Sequence, residues 1–169
     1  QIDRTDVVGF NPVTVTQENV GDWRIRGAEV DASFAVTDWL KITGSYAYRD
    51  PIITSDAGNP ANEGNDIVYV PRHIGSVGLH ADHESGWFAR WDTFFAASSF
   101  ADNANRIELP AYSLSDVSAG YQWNNLRLTV FATNLFDEDY YSAVFNGVVN
   151  GSAFAGTPRT FGVAATFTF

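Results

Sequence analysis

The chain is built from short runs in which apolar and polar residues alternate, the period of a strand whose two faces meet different surroundings. In the last run Phe161, Val163, Ala165, Phe167 and Phe169 share one face, and Thr160, Gly162, Ala164, Thr166 and Thr168 the other. Before it, Leu126, Leu128, Val130 and Ala132 stand opposite Arg127, Thr129, Phe131 and Thr133. Val117, Ala119 and Tyr121 stand opposite Asp116, Ser118, Gly120 and Gln122, and Trp87, Ala89, Trp91, Thr93 and Phe95 opposite Phe88, Arg90, Asp92 and Phe94. Leu40, Ile42, Gly44, Tyr46 and Tyr48 alternate with Lys41, Thr43, Ser45, Ala47 and Arg49; Ala28, Val30, Ala32, Phe34 and Val36 alternate with Gly27, Glu29, Asp31, Ser33 and Ala35. Weaker patterns over 72–81 and 2–10 bring the prediction to about eight strands.

Alternation alone does not say whether the apolar face meets a second sheet or lipid. The links do. Reading back from Phe169, 136–158 is long and 123–125 short, 101–110 medium and 82–86 short, 50–71 long and 37–39 short, and 11–22 medium. Sorting by parity is expected when every second link lies on the same side of a membrane, since outer-membrane barrels have short periplasmic turns and longer extracellular loops. A Greek-key sandwich has no such reason to sort its links. Trp39, Trp87 and Trp123 sit at or beside the three short turns, where an interfacial belt of amphipathic rings belongs.

Composition adds limits. Of 169 residues 45% are hydrophobic, 18% charged and 15% aromatic, with 13 Phe, 7 Tyr and 5 Trp, which excludes a disordered or fibrous chain and supplies aromatic girdles. No run approaches the roughly 18 apolar residues of a membrane helix, and the mean hydropathy of -0.13 suits strands that show lipid only every second residue and a soluble protein equally, so composition does not decide between them. There is no Cys, so no disulfide, thiol nucleophile or thiolate metal site. The net charge of -10 excludes nucleic acid as a partner, which needs clustered Lys and Arg. Beginning at Gln1, with no Met and no signal-peptide pattern, the chain reads as a mature or cut segment.

Five elements, in order, carry a resemblance to the C-terminal barrel strands of TonB-dependent outer-membrane receptors: Gly27-Ala28-Glu29-Val30-Asp31-Ala32, Val70-Pro71-Arg72-His73, Leu109-Pro110-Ala111-Tyr112-Ser113-Leu114-Ser115-Asp116, Asn134-Leu135-Phe136-Asp137-Glu138-Asp139-Tyr140-Tyr141, and Gly156-Thr157-Pro158-Arg159-Thr160 leading to Phe169. Together they are most similar to the ferric-siderophore branch and cover nearly the whole chain. The resemblance implies an all-β, antiparallel transmembrane barrel in the bacterial outer membrane. Residues 1–169 would supply the C-terminal part of a plugged barrel of about 22 strands, with plug and signal peptide absent from this chain. It also implies non-enzymatic, TonB-driven uptake of a scarce solute, a ferric siderophore first. The partners implied are outer-membrane lipid, the receptor's own plug, the TonB complex through an absent N-terminal region, and the barrel assembly machinery. Phe161, Val163, Phe167 and Phe169 would carry the signal that this machinery reads.

No cofactor or catalytic residue is expected. His80 and His83, with Asp82 and Glu84, have a spacing open to metal binding, but a solvated turn accounts for them. Ser, His and Asp occur without a pattern that unites them as a triad, and Asn150-Gly151-Ser152 fits a flexible loop better than a glycosylation acceptor. Glu29, Asp31, Lys41, Arg49, Arg90, Asp92, Asp116 and Arg127 are expected on the wet face. Ligand contacts are expected in the long links, at Tyr69, Phe100, Asn103, Arg106, Tyr140, Tyr141 and Phe145, with Phe154 beside them, where aromatic rings and hydrogen-bonding groups suit a polar chelate or sugar. Two other readings stay open: a stand-alone eight-stranded barrel with a structural or adhesive role, and a soluble carbohydrate-binding β-sandwich.

Overall fold

The computed structural model describes residues 2–11, 16–145 and 152–169, with side chains described at 21–142, 144 and 152–169. Its strands are β1 Ile2–Asn11, β2 Thr16–Ala35, β3 Leu40–Asp56, β4 His73–Asp82, β5 Trp87–Ala96, β6 Ser99–Phe100, β7 Glu108–Leu109, β8 Tyr112–Trp123, β9 Leu126–Thr133, β10 Tyr141–Phe145, β11 Ser152–Ala155 and β12 Thr160–Phe167. Eight of them form one antiparallel sheet in the order β1-β2-β3-β4-β5-β8-β9-β12, while β6-β7 and β10-β11 are two-stranded ribbons in the links.

Apart from one shift between Asp22 and Trp23 in the β2–β3 ladder, the register carries the sequence pattern unbroken from β2 to β12. Phe34 pairs with Ile42, Ile42 with Leu79, Leu79 with Trp91, Trp91 with Val117, Val117 with Ala132 and Ala132 with Phe161. One apolar row thus crosses seven strands. The row displaced by one residue is polar, running Ser33–Thr43–Gly78–Asp92–Asp116. Because side chains alternate strictly, a one-residue slip in any ladder would turn that strand's apolar set onto the polar side.

Among the described residues no second sheet covers the apolar face. Phe161 is 70% exposed, Phe167 57% and Leu128 37%, and Val30, Phe34, Trp91 and Val163 are exposed beside them. A contiguous apolar surface of this extent is stable only against a non-aqueous medium. The sandwich reading therefore fails. A stand-alone eight-stranded barrel would close by pairing β1 with β12, and among the described residues those strands are the two ends of the sheet.

At the short-link end the rings form a belt: Trp87 meets Tyr121 edge-on at 4.9 Å, Tyr121 meets Trp123 at 4.7 Å, and Trp39 meets His83 at 6.1 Å.

Two link lengths differ from expectation. The first link is not medium, because β2 begins at Thr16 and leaves only 12–15 between the strands. Likewise β3 runs past Arg49 to Asp56, through Pro51. Past Arg49 loop residues cover one side of β3, so the alternation between an exposed apolar face and a polar one fades although pairing continues. Pro51, Ile53 and Ile67 make a small buried core there, with the Ile67 N–H donating to the Pro51 carbonyl at 3.0 Å.

Candidate functional site

At the long-link end three loops, 57–72, 97–111 and 134–159, are locked to the sheet by the residues of the quoted motifs. Arg72, just before β4, donates from Nε and Nη2 to both oxygens of Asp66 at 2.9 and 2.7 Å, and from Nη1 to Asp50 at 2.7 Å. The fork geometry makes these charge-assisted bonds directional. The hydrogen bonds to Asp66, then those to Asp50, raise the guanidinium's already high pKa further. Asp66 is held in turn by Asn105, whose Oδ1 accepts from the Asp66 N–H at 2.7 Å.

Asn134 is a second joint. It is 5% exposed and lies in the left-handed region at φ 48°, where Asn is tolerated better than most residues. Its amide donates to the carbonyls of Glu138 and Thr157 at 2.9 and 3.1 Å and accepts from the Glu138 N–H at 2.9 Å. Its own N–H donates to Asp116 of β8 at 2.9 Å. Asp137 accepts from the Arg159 N–H at 3.0 Å, with the guanidinium 3.5 Å away. The motif residues thus fasten loops to strands.

Between these joints lies a cleft of about 170 Å³, lined by Tyr69, Pro71, Ser99, Pro110, Tyr112, Asp139, Tyr140, Tyr141 and Ser142 together with small and aliphatic residues. It sits over the polar side of the sheet, since Tyr112 opens β8 opposite Ala96 in the row displaced from the exposed apolar one. Tyr112 and Tyr140 stack at 4.9 Å and 21°. Tyr140 is fixed on its other side: its carbonyl accepts from the Gly156 N–H at 2.6 Å, its hydroxyl accepts from the Thr157 N–H at 3.2 Å, and a Cβ at Gly156 would lie 2.1 Å from the ring. Tyr69, at φ 60°, donates its N–H to Phe100 at 2.8 Å and its hydroxyl to the Val144 carbonyl, tying loop 57–72 to β6 and β10.

Of the residues expected to meet a ligand, the structure brings Tyr69, Tyr140 and Tyr141 together in this cleft, with Phe100 behind Tyr69. Asn103 and Arg106 lie in the adjoining turn. There the Asn103 carbonyl accepts from Asn65 at 2.8 Å, and the Arg106 guanidinium is 3.6 Å from Asp102. Phe145 belongs to β10, its side chain outside the described residues, and Phe154 is exposed on β11. Sequence reasoning missed Tyr112 and Asp139. Pro110 was the available signal for Tyr112, because a proline cannot donate to the ladder and so marks the residues after it as a strand's rim.

On the expected wet face two of the charged residues, Asp92 and Arg90, meet partners from neighbouring strands. His80 Nε2 is 2.7 Å from Asp92 Oδ1, and Arg90 is 3.7 Å from Asp82. His83 contacts Ser85 at 2.7 Å in its turn. Among the described residues no cluster of His, Asp and Glu could hold a metal ion. His73 is on the exposed face, where its Nδ1 lies 2.7 Å from the Tyr46 hydroxyl.

The family model described as "TonB dependent receptor-like, beta-barrel" matches residues 1–135. The chain belongs to the TonB-dependent receptor β-barrel family. It is 32% identical over 138 residues to the metal-pseudopaline receptor CntO of Pseudomonas aeruginosa, covering 78% of this chain and 19% of that protein. It is 29% identical over 160 residues to the ferrichrome outer membrane transporter/phage receptor of Escherichia coli, covering 88% and 20%. The solved ferric citrate transporter FecA superposes with TM-score 0.80 at 26% identity, covering 94% of this chain and 26% of that one. The chain thus spans about a fifth of the curated relatives it matches, and those relatives are receptors and transporters. In a TonB-dependent receptor barrel of the bacterial outer membrane, the exposed apolar face is the lipid face, the polar face lines the lumen, and the short-link end with its tryptophans is the periplasmic rim. The tyrosine cleft then lies at the extracellular mouth.

Proposed function

We propose that the complete receptor captures a scarce metal chelate, a ferric siderophore first, at its extracellular loops and imports it across the outer membrane with energy delivered through TonB. The observation that carries this reading is the cleft of Tyr69, Tyr112, Tyr140 and Tyr141 above the lumen side of a receptor barrel wall. It is concave and mixed in polarity, and it is built on strands and braced loops, as a capture site for a polar solute requires. Relatives named for metal-pseudopaline, ferrichrome and ferrioxamine B support the choice of chelate.

In this proposal residues 1–169 are a C-terminal portion of the barrel, and the plug and the TonB-contacting segment lie elsewhere in the receptor. Phe161, Val163, Phe167 and Phe169, which alternate along the last strand, are the residues the barrel assembly machinery engages. The reading is tested by deleting the gene and measuring radiolabelled iron uptake from siderophores under iron limitation. Uptake of at least one ferric chelate should fall with the gene and with TonB. Unchanged uptake of every chelate offered would overturn it.

A further inference from the structure

Building on that reading, we infer that the mouth selects by charge: its cleft admits neutral or cationic chelates, such as ferric trihydroxamates, and excludes polyanionic ones. Three observations converge on this.

The first is the lining. Four tyrosines, two serines, two prolines and the carboxylate of Asp139 line the cleft beside alanine and leucine, and among the described residues no Lys, Arg or His takes part. A polyanion entering it would shed water without meeting a cation, and an unpaired desolvated charge is costly. Ring faces attract cations and repel anions, so the stacked Tyr112–Tyr140 pair works in the same sense.

The second is the surrounding field. Loops 57–72, 97–111 and 134–159 carry seven carboxylates, Glu63, Asp66, Asp102, Glu108, Asp137, Glu138 and Asp139, against three arginines, Arg72, Arg106 and Arg159. Each arginine is already tied to a carboxylate: Arg72 to Asp66 and Asp50, Arg106 to Asp102, Arg159 to Asp137. This sector of the mouth therefore presents excess negative charge, which concentrates cations and repels anions before any contact is made. Within about 4 Å of a carboxylate, each negative charge on a ligand costs roughly fivefold in affinity even at the dielectric of water.

The third is the division of labour among the hydroxyls. That of Tyr69 donates to the Val144 carbonyl, and that of Tyr140 accepts from the Thr157 N–H. Those of Tyr112 and Tyr141 have no hydrogen-bond partner among the described residues and can serve a ligand's carbonyl and amide groups. Uncharged hydroxamate and peptide surfaces offer such groups; the rim of a tris-catecholate is anionic.

The test uses the full receptor in outer membranes of a host lacking its own ferric-chelate receptors. Three iron-55 probes are compared: a neutral ferric trihydroxamate, a monocationic one and a trianionic ferric tris-catecholate. The neutral and cationic complexes should bind at least about tenfold more tightly than the trianion. Asp139→Lys, at an exposed position, should shift the trianion-to-cation affinity ratio by about tenfold toward the trianion, and Tyr112→Phe should weaken the neutral complex severalfold. Equal or tighter binding of the trianion by the native receptor, or an unmoved ratio in Asp139→Lys, overturns the inference and leaves the transport reading intact. Failure of all three probes to bind or enter overturns both.

Discussion

The guanidinium carbon of Arg127 on β9 lies 3.5 Å above the ring centroid of Phe88 on β5, and the ring itself covers Gly120 of the intervening β8. Phe88 is 6% exposed although it faces the lumen. Three strands are thereby pinned by one stack. A Cβ at Gly120 would lie 2.4 Å from the Phe88 ring and 2.0 Å from the Leu128 carbonyl oxygen, so neither a ring flip nor a rotamer change makes room.

Gly120→Ala should therefore destabilise the barrel more than Arg127→Met, which keeps the packing and loses only the charge–ring attraction, about 1 kcal/mol. The temperature at which the folded band disappears from a semi-native gel ranks the two. The reverse order would show that the neighbours of Gly120 yield and that the charge–ring attraction outweighs the close packing.

Arg72→Lys keeps the charge but cannot span Asp66 and Asp50 at once. The loop over 57–72 should loosen by about 1–2 kcal/mol. Proteolytic cleavage within the loop should speed up while the folded barrel persists.

Asn134→Ala removes three side-chain hydrogen bonds at a buried site and places alanine at φ 48°. The joint cost is about 3 kcal/mol. Asn134→Gly relieves the backbone cost alone, so it should lie between alanine and the native protein. Ligand affinity measured alongside stability should fall in the same order, because the joint positions Tyr140.

Lipid contact is tested by charge placed on alternate faces of β12. Val163→Lys puts an ammonium on the lipid side, costing about 2–4 kcal/mol near mid-bilayer and less toward the rim. Thr160→Lys, on the lumen side, should refold into vesicles nearly as the native barrel does. Equal tolerance of both would contradict the assigned faces.

How much of this was readable in advance follows from where the two faces differ. Between Ala28 and Phe34, and again from Phe161 to Phe167, one side meets lipid and the other water, so composition alternates and register is legible. Past Arg49 one side of β3 turns to a small local core, and Pro51, ordinarily a sign that pairing stops, is simply buried there with Ile53 and Ile67. The cleft was half visible. Tyr69, Tyr140 and Tyr141 stood out as loop aromatics, whereas Tyr112 counted as strand and Asp139 as one acid in an acidic run. Their meeting depends on where Asn134 and Gly156 turn the chain, which local spacing does not encode. His73 and His80 found partners only through ladders joining residues 27 and 12 positions apart.

The length of the β2–β3 ribbon has an outward consequence. Twenty residues of β2 at about 3.3 Å each reach some 65 Å, about twice what a tilted span of 9–11 residues needs to cross the hydrocarbon. The surplus continues as paired strands past the height of the bilayer on the long-link side. A large particle approaching from that side would meet backbone already satisfied by pairing, with few free N–H or C=O groups to grip.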